Sequence, residues 1–124
     1  MTTHYGHPVF VYGSLKRGFH NHYLLKGSKF IGEDSTRGKM LSLGAFPGVI
    51  KGDGPVHGEL FIVDDETLQK LDALEGCPSL YVREQILLDS GQEAFIYYLN
   101  DYNFEQVLLV IEDGRWTHRV RVTR

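Results

Sequence analysis

A mixed α/β fold, rich in strands and carrying two short helices, is what this 124-residue sequence predicts, and three observations carry that expectation. Short runs of β-branched and aromatic residues recur, each closed by glycine, proline, asparagine or aspartate. Only two segments carry helix signals, one after Asn21 and one after Asp64. Twelve of the 14 glycines fall in residues 1–76, so the first half is dense in turns.

Taken in order, Pro8-Val9-Phe10-Val11-Tyr12 reads as a buried strand that stops at Gly13. Asn21 is placed to cap a short turn through Tyr23-Leu24-Leu25, closed by Gly27. Residues 32–58 hold seven glycines and two prolines, which predicts short strands joined by tight turns. Val-His-Gly-Glu-Leu-Phe-Ile-Val at residues 56–63 reads as another strand. Asp64 and Asp65 then offer capping oxygens, and Leu68, Leu71 and Leu74 repeat along one helical face. Gly76 and Pro78 end that helix. Residues 80–88 and 92–99 form a predicted hairpin around Asp89-Ser90-Gly91. Residues 104–111 suit a helical turn or a buried strand equally, and residues 115–124 alternate as a last strand carrying Trp116.

The length is that of one domain spanning residues 1–124, and 42% hydrophobic residues suffice for one packed core. A formal charge of −3 supplies no general attraction for nucleic acid. Arg115, Arg119, Arg121 and Arg124 alternate, and read as one solvated strand face. No apolar run approaches a membrane span and the polar start Met1-Thr2-Thr3-His4 lacks a signal-peptide core, so the expectation is a cytoplasmic protein with no membrane partner. A single cysteine, Cys77, excludes an intramolecular disulfide framework and any multi-cysteine zinc site. Charge is uneven: residues 1–62 carry seven Lys/Arg against four Asp/Glu, whereas residues 63–124 carry six against twelve.

Two features have chemical potential. Tyr12-Gly13-Ser14-Leu15-Lys16-Arg17-Gly18 follows a strand directly, and is either a plain tight turn or a nest of backbone amides for an anion, with Lys16 and Arg17 adding charge at its rim. It has neither the ending of a Walker loop nor the spacing of a dinucleotide fingerprint. Glu75 is the second. A carboxylate at a helix C-terminus faces the negative end of the macrodipole, which raises its pKa and makes it either a candidate general base or an inconsequential last-turn acid. Asp72, on a neighbouring face, reads as a solvated surface acid. Tyr12, Tyr81, Tyr97 and Tyr98 fall on strands or their ends, as half-buried core residues or as pocket walls. His20-x-His22 lacks a third ligand at metal-site spacing, and none of the six histidines reads as a metal ligand. Cys77 and Ser14 lack the surroundings of catalytic nucleophiles.

The loop and the glutamate each sit inside a longer signature. Val9-Phe10-Val11-Tyr12-Gly13-Ser14-Leu15-Lys16-Arg17-Gly18, followed by Asn21-His22, resembles the glycine loop of the γ-glutamylcyclotransferase-like family. Leu71-Asp72-x-Leu74-Glu75-Gly76-Cys77-Pro78-x-Leu80-Tyr81-x-Arg83 resembles its second signature, in the wording of the γ-glutamylamine cyclotransferase (AIG2-like) branch. Gly44-x-Phe46-Pro47-Gly48 and Val56-x-Gly58-Glu59 fit as well, so the likeness spans residues 9–99. Ser14 stands where this branch often has threonine.

The resemblance implies a small curved, barrel-like sheet with a cavity beside the glycine loop. It implies an enzyme that needs no metal or cofactor and acts on a small γ-glutamyl substrate. The α-amine of that substrate attacks its own γ-carbonyl, closing 5-oxoproline and expelling the amine. Tyr12, Gly13, Ser14 and Leu15 are then expected to bind the carboxylate or amino end, Tyr81 to contribute to substrate binding, and Glu75 to carry the protons. The leaving amine and the oligomeric state stay open. The competing expectation is a non-catalytic binding module of the same fold, and the acid at position 75 is what argues against it.

Overall fold

The computed structural model describes residues 6–100 and 109–117. Strands β1 (His7–Val11), β2 (Lys29–Ser42), β3 (Pro47–Val63), β4 (Tyr81–Leu87), β5 (Glu93–Leu99) and β6 (Leu109–Ile111) form one sheet in the order β4-β5-β1-β3-β2-β6. β1 runs parallel to β5 and antiparallel to β3, and the other pairings are antiparallel. This mixed sheet curls into a half-barrel accompanied by a 3-10 turn, His22–Leu25, and one α-helix, α1 (Asp65–Leu74).

The sheet is apolar on both faces, and strand alternation sorts its side chains into two clusters. Val9, Val11, Phe61, Val63, Tyr97 and Leu99 join Leu71 of the helix in one; Phe10, Tyr12, Leu60, Ile96, Tyr98, Met40 and Trp116 form the other. Val9, Phe10, Val49, Val56, Leu71 and Ile96 are fully buried. Each such side chain contributes roughly 1.5–3 kcal/mol of transfer free energy. Gly58 lets β3 pass close under β1: a Cβ there would lie 2.3 Å from the Val11 carbonyl oxygen.

The glycine-rich segment departs from the short strands that its composition predicts. It is one long hairpin, 14 residues in β2 and 17 in β3, with register shifts between Phe30 and Gly32 and between Gly38 and Lys39. Several of these glycines sit within the strands at or near the shifts, where the ladder bends, rather than ending the strands. Leu109–Ile111 is a strand against β2, while residues 104–108 lie outside the described residues. The predicted last strand is not formed at residues 115–117, and its remainder also lies outside them.

Helix α1 starts where the sequence marks it, with the Asp64 carboxylate accepting from the Thr67 amide at 2.8 Å. Leu68 and Leu71 are buried, but Leu74 is 41% exposed. A spacing of three residues drifts by about 60° per step around a 3.6-residue helix, so the third leucine leaves the core face. The helix closes in a Schellman motif: Cys77 N–H donates to the Asp72 carbonyl at 3.0 Å, Gly76 N–H to that of Ala73 at 3.1 Å, and Gly76 takes φ +66°. Glu75 is its C-cap residue.

Candidate active site

A cavity of about 280 Å³ opens where β1 ends. Its walls are the loop Tyr12, Gly13, Ser14 and Leu15, the β2–β3 turn at Ala45, Phe46 and Pro47, the helix end at Leu74 and Glu75, and Leu80, Tyr81 and Tyr97. All six residues expected at a site from the sequence therefore line one cavity, although the loop and Glu75 are some 60 residues apart in the chain.

The loop is held from behind. Gly13 carbonyl accepts from Lys16 N–H at 3.1 Å, Ser14 carbonyl from Asn21 N–H at 3.0 Å, and Leu15 carbonyl from the His22 ring at 3.0 Å. Asn21 does not cap the short turn as expected; its side-chain amide donates to Ser14 Oγ at 2.8 Å instead. The carbonyls of the loop are thus occupied, while the amides of Gly13, Ser14 and Leu15 donate to no acceptor among the described residues. Gly13 is needed for close approach rather than for a left-handed turn, since a Cβ there would lie 2.9 Å from Pro47 Cγ. The left-handed position is Gly18, at φ +87°.

Lys16 and Arg17 do not charge the cavity rim. Lys16 Nζ donates to the Trp116 carbonyl at 2.7 Å and lies over the Phe19 ring. Arg17 pairs with buried Glu59, through its amide at 2.9 Å and its Nε at 3.4 Å, and its guanidinium stacks on Phe30. Both cations fasten the loop to β3 and to the segment around Trp116, on the side away from the cavity. Neither cation lines the cavity, so the backbone amides of Gly13, Ser14 and Leu15, unpaired among the described residues, are the loop's own donors for an anion.

Glu75 is half-buried and lines the cavity. No hydrogen bond or ion pair reaches its carboxyl among the described residues. Burial without a donor pushes its pKa from 4.5 up to about 7. The cause is desolvation, where the sequence pointed to the helix dipole.

Three tyrosines, Tyr12, Tyr81 and Tyr97, line the same cavity, and each gives its hydroxyl proton to a partner other than Glu75. Tyr12 donates to the Tyr97 carbonyl, Tyr81 to the Pro47 carbonyl, and Tyr97 to Asp72 Oδ1 at 2.7 Å. Burial raises the pKa of all three, and the charge of Glu75 adds to this for Tyr12 and Tyr81. Asp72 is not the solvated acid that its sequence position suggested. It is half-buried, accepts from Tyr97, and pairs with Arg83 Nη1 at 3.1 Å. Cys77 stays a thiol, its pKa raised to about 11 by burial and then by the nearby Asp72 charge.

The sequence assigns no site role to Pro47, leaves Tyr97 as a core residue or pocket wall, and reads Asp72 as a surface acid. The signal available for Pro47 was its place in Gly44-x-Phe46-Pro47-Gly48, and for Asp72 its place in the helix signature. Among the described residues, no cluster of three His, Cys, Asp or Glu side chains is placed to hold a metal ion. No helix there is long and apolar enough to cross a membrane.

Known proteins share this architecture. The AIG2-like protein of Mus musculus superposes with a TM-score of 0.76 at 27% identity, over 96% of this chain and 100% of that one. The uncharacterized protein PH0828 of Pyrococcus horikoshii gives 0.74 at 29% identity, over 88% of each chain. In sequence, the γ-glutamylcyclotransferase family protein YtfP of Escherichia coli K12 is 35% identical over 112 residues, covering 90% of this chain and 96% of that one. Residues 9–118 match the family described as "Gamma-glutamyl cyclotransferase, AIG2-like". With that match running from the first residue of the glycine loop signature past the cavity's last wall, the chain belongs to the AIG2-like γ-glutamyl cyclotransferase family.

Proposed function

We propose that this chain is a γ-glutamyl cyclotransferase, converting a γ-glutamyl amine or γ-glutamyl amino acid into 5-oxoproline and a free amine. One observation carries the reading: Gly13, Ser14 and Leu15, whose amides have no acceptor among the described residues, and Glu75, whose carboxyl has no donor there, line the same small cavity. The first is a seat for an anion and the second a proton carrier poised near neutral pH.

Ring closure needs both. The substrate's α-amine is an ammonium at neutral pH, so its lone pair must be freed by a base. Glu75 carboxylate takes one proton, and the amine nitrogen attacks the γ-carbonyl carbon to give a tetrahedral intermediate. The bond from that carbon to the leaving nitrogen then breaks as Glu75 returns the proton to it. A second proton follows the same route from the ring nitrogen, which keeps the third as the lactam N–H. Both protons lost by the ammonium thus end on the leaving amine, and no water is consumed.

Such proton relay contributes typically 10²–10⁴-fold. Holding the α-carboxylate on the loop amides bends the flexible glutamyl chain toward attack, which supplies the proximity contribution. Any amide not used by the carboxylate is placed to donate to the developing oxyanion, because all three tyrosine protons are already committed.

The test is to incubate the protein with a panel of γ-glutamyl amines and γ-glutamyl amino acids and assay 5-oxoproline. The expected result is product with at least one panel member. Failure with all of them, alongside stabilisation by glutamate-like ligands, would favour a binding module of the same fold.

A further inference from the structure

The directions of the tyrosine hydrogen bonds fix what those hydroxyls have left to offer. A carbonyl oxygen can only accept, so the single proton of Tyr81 must lie toward Pro47 and that of Tyr12 toward Tyr97. What each hydroxyl presents to the cavity is therefore oxygen lone pairs. The Val49 backbone N–H approaches the Tyr12 oxygen, whereas no donor reaches the Tyr81 oxygen among the described residues. Tyr81 is buried, lines the cavity, and interacts electrostatically with Glu75.

We propose that Tyr81 is a hydrogen-bond acceptor for the α-ammonium group of the substrate, holding it beside Glu75 while the α-carboxylate sits on the loop amides. The role rests on the cyclotransferase reading of the cavity, and it excludes the more familiar use of an active-site tyrosine as a donor to the oxyanion. A phenol that already donates to a carbonyl is a better acceptor, because hydrogen bonds in a chain polarise one another. Turning the proton toward a substrate oxygen would instead strand the Pro47 carbonyl without a partner. An ammonium needs several acceptors, and Tyr81 and Glu75 line one cavity within electrostatic reach of each other. The amino acid's α-carbon then lies between a face of donors and a face of acceptors.

The test uses a ligand pair that cannot cyclise. L-Methionine sulfoxide matches glutamine, the simplest γ-glutamyl amide, in shape, with S=O in place of the γ-carbonyl and a methyl in place of the amide nitrogen, and 4-(methylsulfinyl)butanoate is the same molecule without its ammonium. Titration calorimetry on the wild type is expected to show the amino compound binding at least about tenfold tighter. In Tyr81→Phe that compound should weaken by about tenfold, while the des-amino compound stays within about twofold. Any disturbance from the freed Pro47 carbonyl affects both ligands and cancels in their ratio.

Equal affinities in the wild type would overturn the proposal without recourse to a variant. An equal loss of both ligands in Tyr81→Phe, or no loss of either, would overturn it as well. If the wild type binds neither ligand, the anion seat fails together with it. If it discriminates as expected but the substrate panel yields no 5-oxoproline, the acceptor role stands and only the catalytic reading falls.

Discussion

The hydroxyl of Tyr97 donates to Asp72 Oδ1 at 2.7 Å, tying the cavity-lining face of β5 to the last turn of α1. Asp72 Oδ2 meets Arg83 Nη1 of β4 at 3.1 Å, and the Arg83 guanidinium lies 4.7 Å from the Phe95 ring. The residue that carries this clamp is three positions before Glu75, so the clamp sets where the helix end aims its carboxyl.

Asp72→Asn keeps the volume but removes the charge facing Arg83, and the stability loss should be about 1–2 kcal/mol. Chemical denaturation would show it as a lower midpoint at unchanged slope. Tyr97→Phe should cost about 1 kcal/mol or less by the same measurement, since Asp72 keeps its ion pair. A larger loss for Tyr97→Phe than for Asp72→Asn would show that the clamp does not act through Asp72.

Glu75 makes folding stability fall as pH rises. Its pKa is higher folded, about 7, than unfolded, 4.5, so between those values the folded state holds more protons and loses stability with increasing pH. The full difference corresponds to up to about 3 kcal/mol. Glu75→Gln, which never ionises, should therefore be more stable than the wild type above pH 8 by up to that amount. The advantage should vanish below pH 4. Thermal unfolding of both proteins across this range checks it, and parallel curves would mean that the carboxyl is not desolvated.

Most of this arrangement was legible in the residues, and the misses have physical causes. Strand periodicity located β1, β4 and β5 within a residue or two, and Asp64 and Gly76 bounded the helix correctly. Glycine density was read as breaks, but in a two-sided curled sheet it marks bends within continuous strands. Lys16 and Arg17 were placed at the cavity by chain proximity alone. Their partners, Trp116 and Glu59, are 100 and 42 residues away, and no local pattern announces such contacts. For Asp72 the partners are Tyr97 and Arg83, equally distant from any helical periodicity. Glu75 was singled out for its position on the helix, yet its pKa follows from walls supplied by other elements.

Close packing and hydrogen bonding make separable demands on the loop. Ser14→Ala removes only the 2.8 Å bond from Asn21 Nδ2, and the backbone bond from Asn21 at 3.0 Å survives. Substrate KM should rise by no more than about fivefold. Gly13→Ala pushes a methyl to within 2.9 Å of the Pro47 ring, which shifts the backbone that carries the free amides. Its kcat/KM should fall by about 10²-fold, given how steeply rates depend on sub-ångström placement. Steady-state kinetics on whichever γ-glutamyl substrate proves active would separate the two, and a tolerated Gly13→Ala would remove the loop from the site.

If Glu75 frees the α-amine, the reaction requires its ionised form at the start. On the acid side kcat/KM should then rise about tenfold per pH unit and level off near pH 7, where the carboxyl titrates. Replacing the acid by Gln leaves a group of the same shape that can neither take nor return a proton, so kcat should drop by at least about 10²-fold. KM should change less, because the anion seat on Gly13, Ser14 and Leu15 is intact. An acid limb centred near 4.5 would mean that the carboxyl is solvated in the working enzyme. Retention of the limb near pH 7 in Glu75→Gln would assign the titration, and the proton transfer, to another group. His20 lines the same cavity, so His20→Gln measured in parallel shows whether that side chain takes part in the proton transfer.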